Sequence, residues 1–131
     1  MGKLTELRIL LADHDARVRS ALHTLLAQEV ETLAVRGCPD IGCLAVEIKG
    51  FEPDLVLLDW ELPGRPVAAL LFALNRLDAK PKVIVLSARP EAEQEAMTVG
   101  ADAFVSKGEP PERLLVVFHD LVQDLSGNGA G

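Results

Sequence analysis

The chain has no tyrosine, one tryptophan and four phenylalanines, so aliphatic side chains must fill whatever interior it builds. Its two cysteines, Cys38 and Cys43, are too few for a disulfide framework and lack the second pair that a structural zinc site needs. Pairing of the two stays open, but buried or idle thiols suit the reducing compartment expected here better. No block of lysine and arginine is present. With 13 basic against 20 acidic residues and a net charge of −7, the chain has little with which to neutralise several phosphates. That argues against nucleic-acid binding by the chain itself. Long hydrophobic runs are missing too: the longest near the start is Ile9–Ala12, far short of a signal core or a membrane span. Glu6 stands where an N-myristoylation signal places serine or threonine. The expected setting is the cytoplasm, with no membrane attachment.

What is present suits one globular domain: 131 residues, 49% hydrophobic and 25% charged. Short aliphatic runs alternate with longer segments of helical period. Arg8–Ala12 reads as a first strand, followed by a helix over 16–29 with Val18, Ala21, Leu22, Leu25 and Leu26 on one face. Residues 32–36 form a weak second strand, and 41–49 a helix stopped by Gly50, with Leu44, Ala45 and Ile48 inward. Leu55–Leu58 is an unbroken apolar strand, the pattern of a parallel sheet covered on both faces. Pro63, Gly64 and Pro66 make a loop before a helix over 67–77. Strand 82–86, a Glu-rich helix over 91–99 ended by Gly100, strand 103–106 and a helix over 112–125 complete the series. The last helix follows Pro110-Pro111 and turns Leu114, Val117, Phe118, Leu121, Val122 and Leu125 inward. Residues 1–7 form a lead, 8–125 the domain, and 126–131 a flexible tail or linker of glycine-rich composition. Five strands alternating with five helices predict an α/β three-layer sandwich, flavodoxin-like, with a parallel sheet of order 2-1-3-4-5.

In that topology ligands bind beyond the carboxyl ends of the strands. The first strand ends in Asp13-His14-Asp15 and the third in Asp59, while Ser87 follows the fourth and Lys107 the fifth. Each alone reads as a cap or a solvated loop residue, but acids, a hydroxyl and an ammonium together form a constellation. Ile9–Asp15, Pro53–Gly64, Val83–Ala88 and Ala101–Lys107 resemble, in order and spacing, the pocket segments of the receiver domains of bacterial two-component response regulators. The similarity runs from about Arg8 to Leu125.

The resemblance implies a phosphorylation switch. Asp59 would be the phosphoacceptor, attacking a phosphoryl group to give an acyl phosphate. Mg2+ would be held by Asp13, Asp59 and the backbone carbonyl of Glu61, with Ser87 and Lys107 contacting phosphoryl oxygens. Ser87 and Phe104 would form the switch pair. Implied partners are a sensor histidine kinase or phosphotransfer protein and a downstream protein or fused output domain. A homodimer through the face of helix 4, strand 5 and helix 5 is also implied, and no enzymatic activity beyond self-phosphorylation and self-dephosphorylation.

Three departures stand out. His14 occupies the place of a second pocket carboxylate, and imidazole is a poor ligand for Mg2+. Asp15 could substitute, the site could bind metal weakly or prefer a transition ion, or phosphorylation could have been abandoned. The last outcome supports an alternative reading, a phosphorylation-independent interaction module. Phe104 replaces a frequent tyrosine, and Gly108 a frequent proline. His23 and His119 have no partners at ligand spacing and read as structural; Glu91, Glu93 and Glu95 read as a solvated face. Trp60 is expected at the pocket rim. A flavodoxin-type cofactor binder is disfavoured, because Asp15-Ala16-Arg17 stands where a glycine-rich phosphate loop would be.

Overall fold

The aliphatic runs pair side by side as parallel strands: β1 (Leu7–Ala12), β2 (Leu33–Cys38), β3 (Leu55–Asp59), β4 (Lys82–Ser87) and β5 (Ala103–Ser106). In this computed structural model, which describes residues 6–31, 33–64 and 66–130, the five strands form one sheet of order β2-β1-β3-β4-β5. The expected flavodoxin-like topology is therefore present. The helices are α1 (Ala16–Ala27), α2 (Ile41–Phe51), α3 (Val67–Leu74), α4 (Glu93–Thr98) and α5 (Pro111–Ala130).

Strand alternation sorts the core into two layers. Leu10, Ala12, Val56, Leu58, Val83, Val85 and Phe104 face one side and meet residues of α2, α3 and α4 such as Leu44, Leu71 and Ala96. Ile9, Leu11, Leu55, Leu57, Ile84, Leu86 and Val105 face the other and meet Leu26 of α1 and Leu114, Phe118 and Leu121 of α5. Each fully buried leucine contributes about 1.5–3 kcal/mol relative to exposure. All of β3 is buried, as its unbroken apolar run predicts for a central strand.

Several boundaries differ from the sequence expectation. β2 runs on through Gly37 and Cys38 because these pair with Leu11 and Ala12; Thr32 lies outside the described residues. Gly50 does not stop α2, which continues to Phe51 because that ring is buried; Glu52 takes the left-handed cap at φ 51° instead. Ala45 is exposed, as is Ala21 on α1. α3 ends at Leu74, and Arg76 and Leu77 close tighter turns onto Ala73 and Leu74. The Glu-rich segment opens as a 3₁₀ turn (Pro90–Ala92) before α4. The backbone of 126–130 continues α5 where a tail was expected, since extending a formed helix adds one hydrogen bond per residue.

Two glycines are required by close approach. Gly64, at φ 123°, would place a Cβ 2.9 Å from that of Ile41, where the β3–α3 loop crosses the start of α2. Gly100, at φ 114°, would place one 2.0 Å from Nδ2 of Asn75, whose amide donates to the Leu71 and Gly100 carbonyls and ties α3 to the end of α4.

Candidate functional site

Sheet register assembles the site. Ala12 pairs with Leu58, and Asp59 with Leu86. Asp13 and Asp59 therefore emerge on neighbouring strands at the same level, one step short of Ser87, which pairs with Ser106. Lys107 follows directly, its backbone N–H donating to the Ser87 carbonyl at 2.8 Å.

The two carboxylates are sealed from solvent, Asp13 at 2% exposure and Asp59 at 0%. Lys107 Nζ donates to Asp13 Oδ2 at 3.0 Å and lies 3.4 Å from Asp59 Oδ1. Asp13 Oδ1 accepts the Asp15 N–H, Asp59 Oδ1 accepts the Glu61 N–H, and each distance is 2.9 Å. The Asp13 N–H donates to the Cys38 carbonyl, and the Arg19 guanidinium donates to the Asp13 carbonyl. Burial by itself would lower the Lys107 pKa. The hydrogen bond to Asp13 and the charge of Asp59 more than offset it, so the ammonium titrates above its ordinary value. A cation held between two buried acids is the electrostatic centre of the site.

His14 stands over this pair. Its ring is largely exposed, with Nδ1 3.3 Å from Asp59 Oδ2 and 3.7 Å from Asp13 Oδ1. Asp15 is turned away. Its carboxylate caps α1 by accepting the Arg17 N–H, and the Arg17 side-chain and backbone hydrogen bonds hold its pKa below the usual value. Of the three alternatives for the missing carboxylate, entry of Asp15 into the basin is not seen in this arrangement, where its side chain caps α1.

Ser87 is fully buried, and its hydroxyl donates to Glu61 Oε2 at 2.7 Å. Arg89 sits 3.5 Å from the same oxygen, and its backbone N–H donates to Ser87 Oγ. The Glu61 side chain and Arg89 are participants that sequence reasoning missed. Their signal was present: Glu61 follows Asp59 by two residues and Arg89 follows Ser87 by two, both just past strand ends. Phe104 is buried beside a cleft lined by Glu93, Ser106 and Arg113. Trp60 is core rather than rim, 8% exposed and packed in the layer under α2 and α3. His119 does have a partner, Glu29 in the turn after α1 at 2.7 Å, a structural pairing between α5 and that turn.

Among the described residues, Asp13, His14 and Asp59 bring ligand atoms within 4.8 Å of one another. Two buried carboxylate oxygens suit a hard divalent cation, and the imidazole nitrogen leans toward a transition ion. The donor set fits a divalent metal.

These features define a doubly wound α/β domain whose carboxyl edge carries an acidic basin closed by a lysine. A family model described as the response regulator receiver domain matches residues 9–119. The Pseudomonas aeruginosa phosphate regulon transcriptional regulatory protein PhoB is 31% identical over 112 residues, covering 82% of this chain and 48% of that protein. A Rhodopseudomonas palustris protein-glutamate methylesterase/protein-glutamine glutaminase is 31% identical over 105 residues, covering 78% of this chain and 29% of that protein. The signal receiver domain of a response regulator from Bermanella marisrubri superposes with a TM-score of 0.77 at 28% identity, over 88% of this chain and 97% of that one. The chain belongs to the response regulator receiver domain family of two-component systems. It spans less than half the length of these two curated relatives, whose named activities are theirs. Receiver domains typically bind Mg2+ through acidic residues, and the Asp13–Asp59 pair is such a cluster. No described helix is long and apolar enough to cross a membrane.

Proposed function

We propose that this chain is a phosphorylation switch in which Asp59 accepts a phosphoryl group from a sensor histidine kinase, a phosphotransfer protein or a small phosphodonor. The observation that carries the reading is the Lys107 ammonium within 3.4 Å of both buried carboxylates. Asp59 Oδ1 is held by the Glu61 N–H and Lys107, which leaves Oδ2, under the exposed His14, as the oxygen that attacks phosphorus. Asp13, Asp59 and the Glu61 backbone carbonyl would hold the metal. Bound Mg2+ supplies neutralisation of the charge on the transferring group. Lys107 adds a fixed positive charge beside the incoming phosphoryl oxygens. Ser87 must leave Glu61 to donate to the phosphoryl group, and the already buried Phe104 ring repacks as it does so. That movement alters the face of α4, β5 and α5 toward a downstream protein, a fused output domain or a second copy of the chain.

Acetyl phosphate with saturating Mg2+ should add one phosphoryl group to the intact mass and change Trp60 emission, and Asp59→Asn should do neither. Absence of any mass gain in the unmutated protein would refute the switch. A second reading, a phosphorylation-independent interaction module, draws on His14 leaning over Asp59 where receivers resembling this one carry a carboxylate. Equal partner affinity for the unmutated protein and Asp59→Asn would favour it.

A further inference from the structure

Cys38 ends β2 and Cys43 lies in the first turn of α2, and their sulfurs are 2.6 Å apart. Cys38 is fully buried and Cys43 half-buried. Neither backbone is loose. Cys38 is held in register against Ala12, and the Cys43 N–H donates to the capping carboxylate of Asp40 at 2.8 Å. The fold therefore keeps two thiols in contact across a short strand-to-helix turn, one reachable from solvent and one not.

We infer that Cys38 and Cys43 form a redox-active dithiol that closes to an intramolecular disulfide when it meets a small-molecule disulfide of the glutathione type. The half-buried Cys43 thiolate attacks one sulfur of the reagent, whose S–S bond breaks and releases one thiol with its proton. Cys38 then gives up its proton and displaces the second thiol from the Cys43 sulfur, forming the protein S–S bond. Two cysteine thiols lose two electrons, and one reagent disulfide becomes two thiols. The order follows from access, and burial together with the neighbouring sulfur keeps the Cys38 thiol protonated until the mixed disulfide forms.

The turn that carries the pair bonds to the acidic basin at Asp13 and to the loop that leaves Asp59. The Cys38 carbonyl accepts the Asp13 N–H at 3.0 Å, and the Ile41 N–H, between the two cysteines, donates to the Pro63 carbonyl of the loop leaving Asp59 at 3.0 Å. Closure locks the turn that carries both bonds, so oxidation state reaches the residues around Asp13 through main-chain contacts.

The test uses the whole chain, folded and in urea, incubated with glutathione disulfide, acid-quenched, alkylated with N-ethylmaleimide and weighed. Unmutated protein should lose both alkylation sites without gaining glutathione, form no disulfide between chains and recover both sites with dithiothreitol. Cys38→Ser should stop at one glutathione adduct on Cys43, and Cys43→Ser should leave Cys38 unmodified until unfolded. The closing equilibrium should favour the disulfide about tenfold or more in the folded protein over the urea-unfolded one. Two alkyl groups at every reagent ratio, persistent glutathione adducts, or a folded-state equilibrium below the unfolded one would each overturn the inference. Amide exchange at Asp13 should slow on oxidation, and an unchanged rate would remove the link to the basin.

Discussion

Replacing Lys107 with methionine keeps most of the length of the side chain and removes its charge. At the observed 3.0 and 3.4 Å, each contact with a carboxylate has a gross Coulomb energy of about 5 kcal/mol at an effective dielectric constant near 20. Asp13 and Asp59 have ligand atoms within 4.8 Å of each other, which at the same dielectric amounts to at least about 3.5 kcal/mol of repulsion. In the unmutated chain these terms are largely offset by the cost of desolvating three ions. In the variant the repulsion and the desolvation of the two carboxylates remain while the attraction is gone. Removing one partner of a buried pair costs about 3–5 kcal/mol; the 29% exposure of Lys107 places the expected loss near the lower end, at about 3 kcal/mol. Urea unfolding of both proteins in chelator at neutral pH measures it.

Two further signs follow from the same geometry. Because the folded-state pKa of Lys107 lies above its ordinary 10.5, the advantage of lysine over methionine is complete below that pH and fades as pH rises through the folded value. Added Mg2+ should stabilise the variant more than the unmutated chain, since the cation then has two uncompensated carboxylates to bind. A loss below about 1 kcal/mol in chelator, or a gap that Mg2+ widens, would refute the claim that Lys107 is the counter-ion of this pair.

Exchange of His14 for aspartate should raise Mg2+ affinity by roughly tenfold or more, because a third hard oxygen replaces a nitrogen donor; calorimetric titration of both proteins checks it. Glu61→Ala should speed labelling by acetyl phosphate by roughly three- to tenfold, since a charge-assisted hydrogen bond no longer holds Ser87; an unchanged or lower rate would show that the Glu61 contact is no barrier. Gly100→Ala should lower stability by about 2–3 kcal/mol, through a backbone conformation that alanine resists and a collision with Asn75, visible as a fall in the urea midpoint without change in slope.

The parts of this site that were legible in the sequence are those fixed by strand ends. Once five aliphatic runs are placed in a parallel sheet, Asp13, Asp59, Ser87 and Lys107 must emerge along one edge, and register alone brings Asp13 level with Asp59. What lay beyond reach depended on how chains turn after leaving the sheet. Whether Asp15 enters the basin or caps α1 is decided by the backbone at one residue, extended at φ −95° and ψ 114°, which aims the carboxylate at the Arg17 N–H. Glu61 meets Ser87 because the turn after β3 closes tightly, with the Leu62 N–H donating to the Asp59 carbonyl at 3.0 Å. Cys38 and Cys43 were readable as neighbours only if β2 extends to Cys38, two residues past the run that its side chains suggest, and pairing with β1 supplies that extension. His14 joins both kinds of evidence. Its identity told of a missing carboxylate, while its orientation sets Nδ1 3.3 Å from Asp59 Oδ2 with the ring open to solvent. An exposed donor is a weaker obstacle to phosphoryl transfer than a buried one, which is why the Asp59–Lys107 pair outweighs the substitution at His14 in the proposed switch.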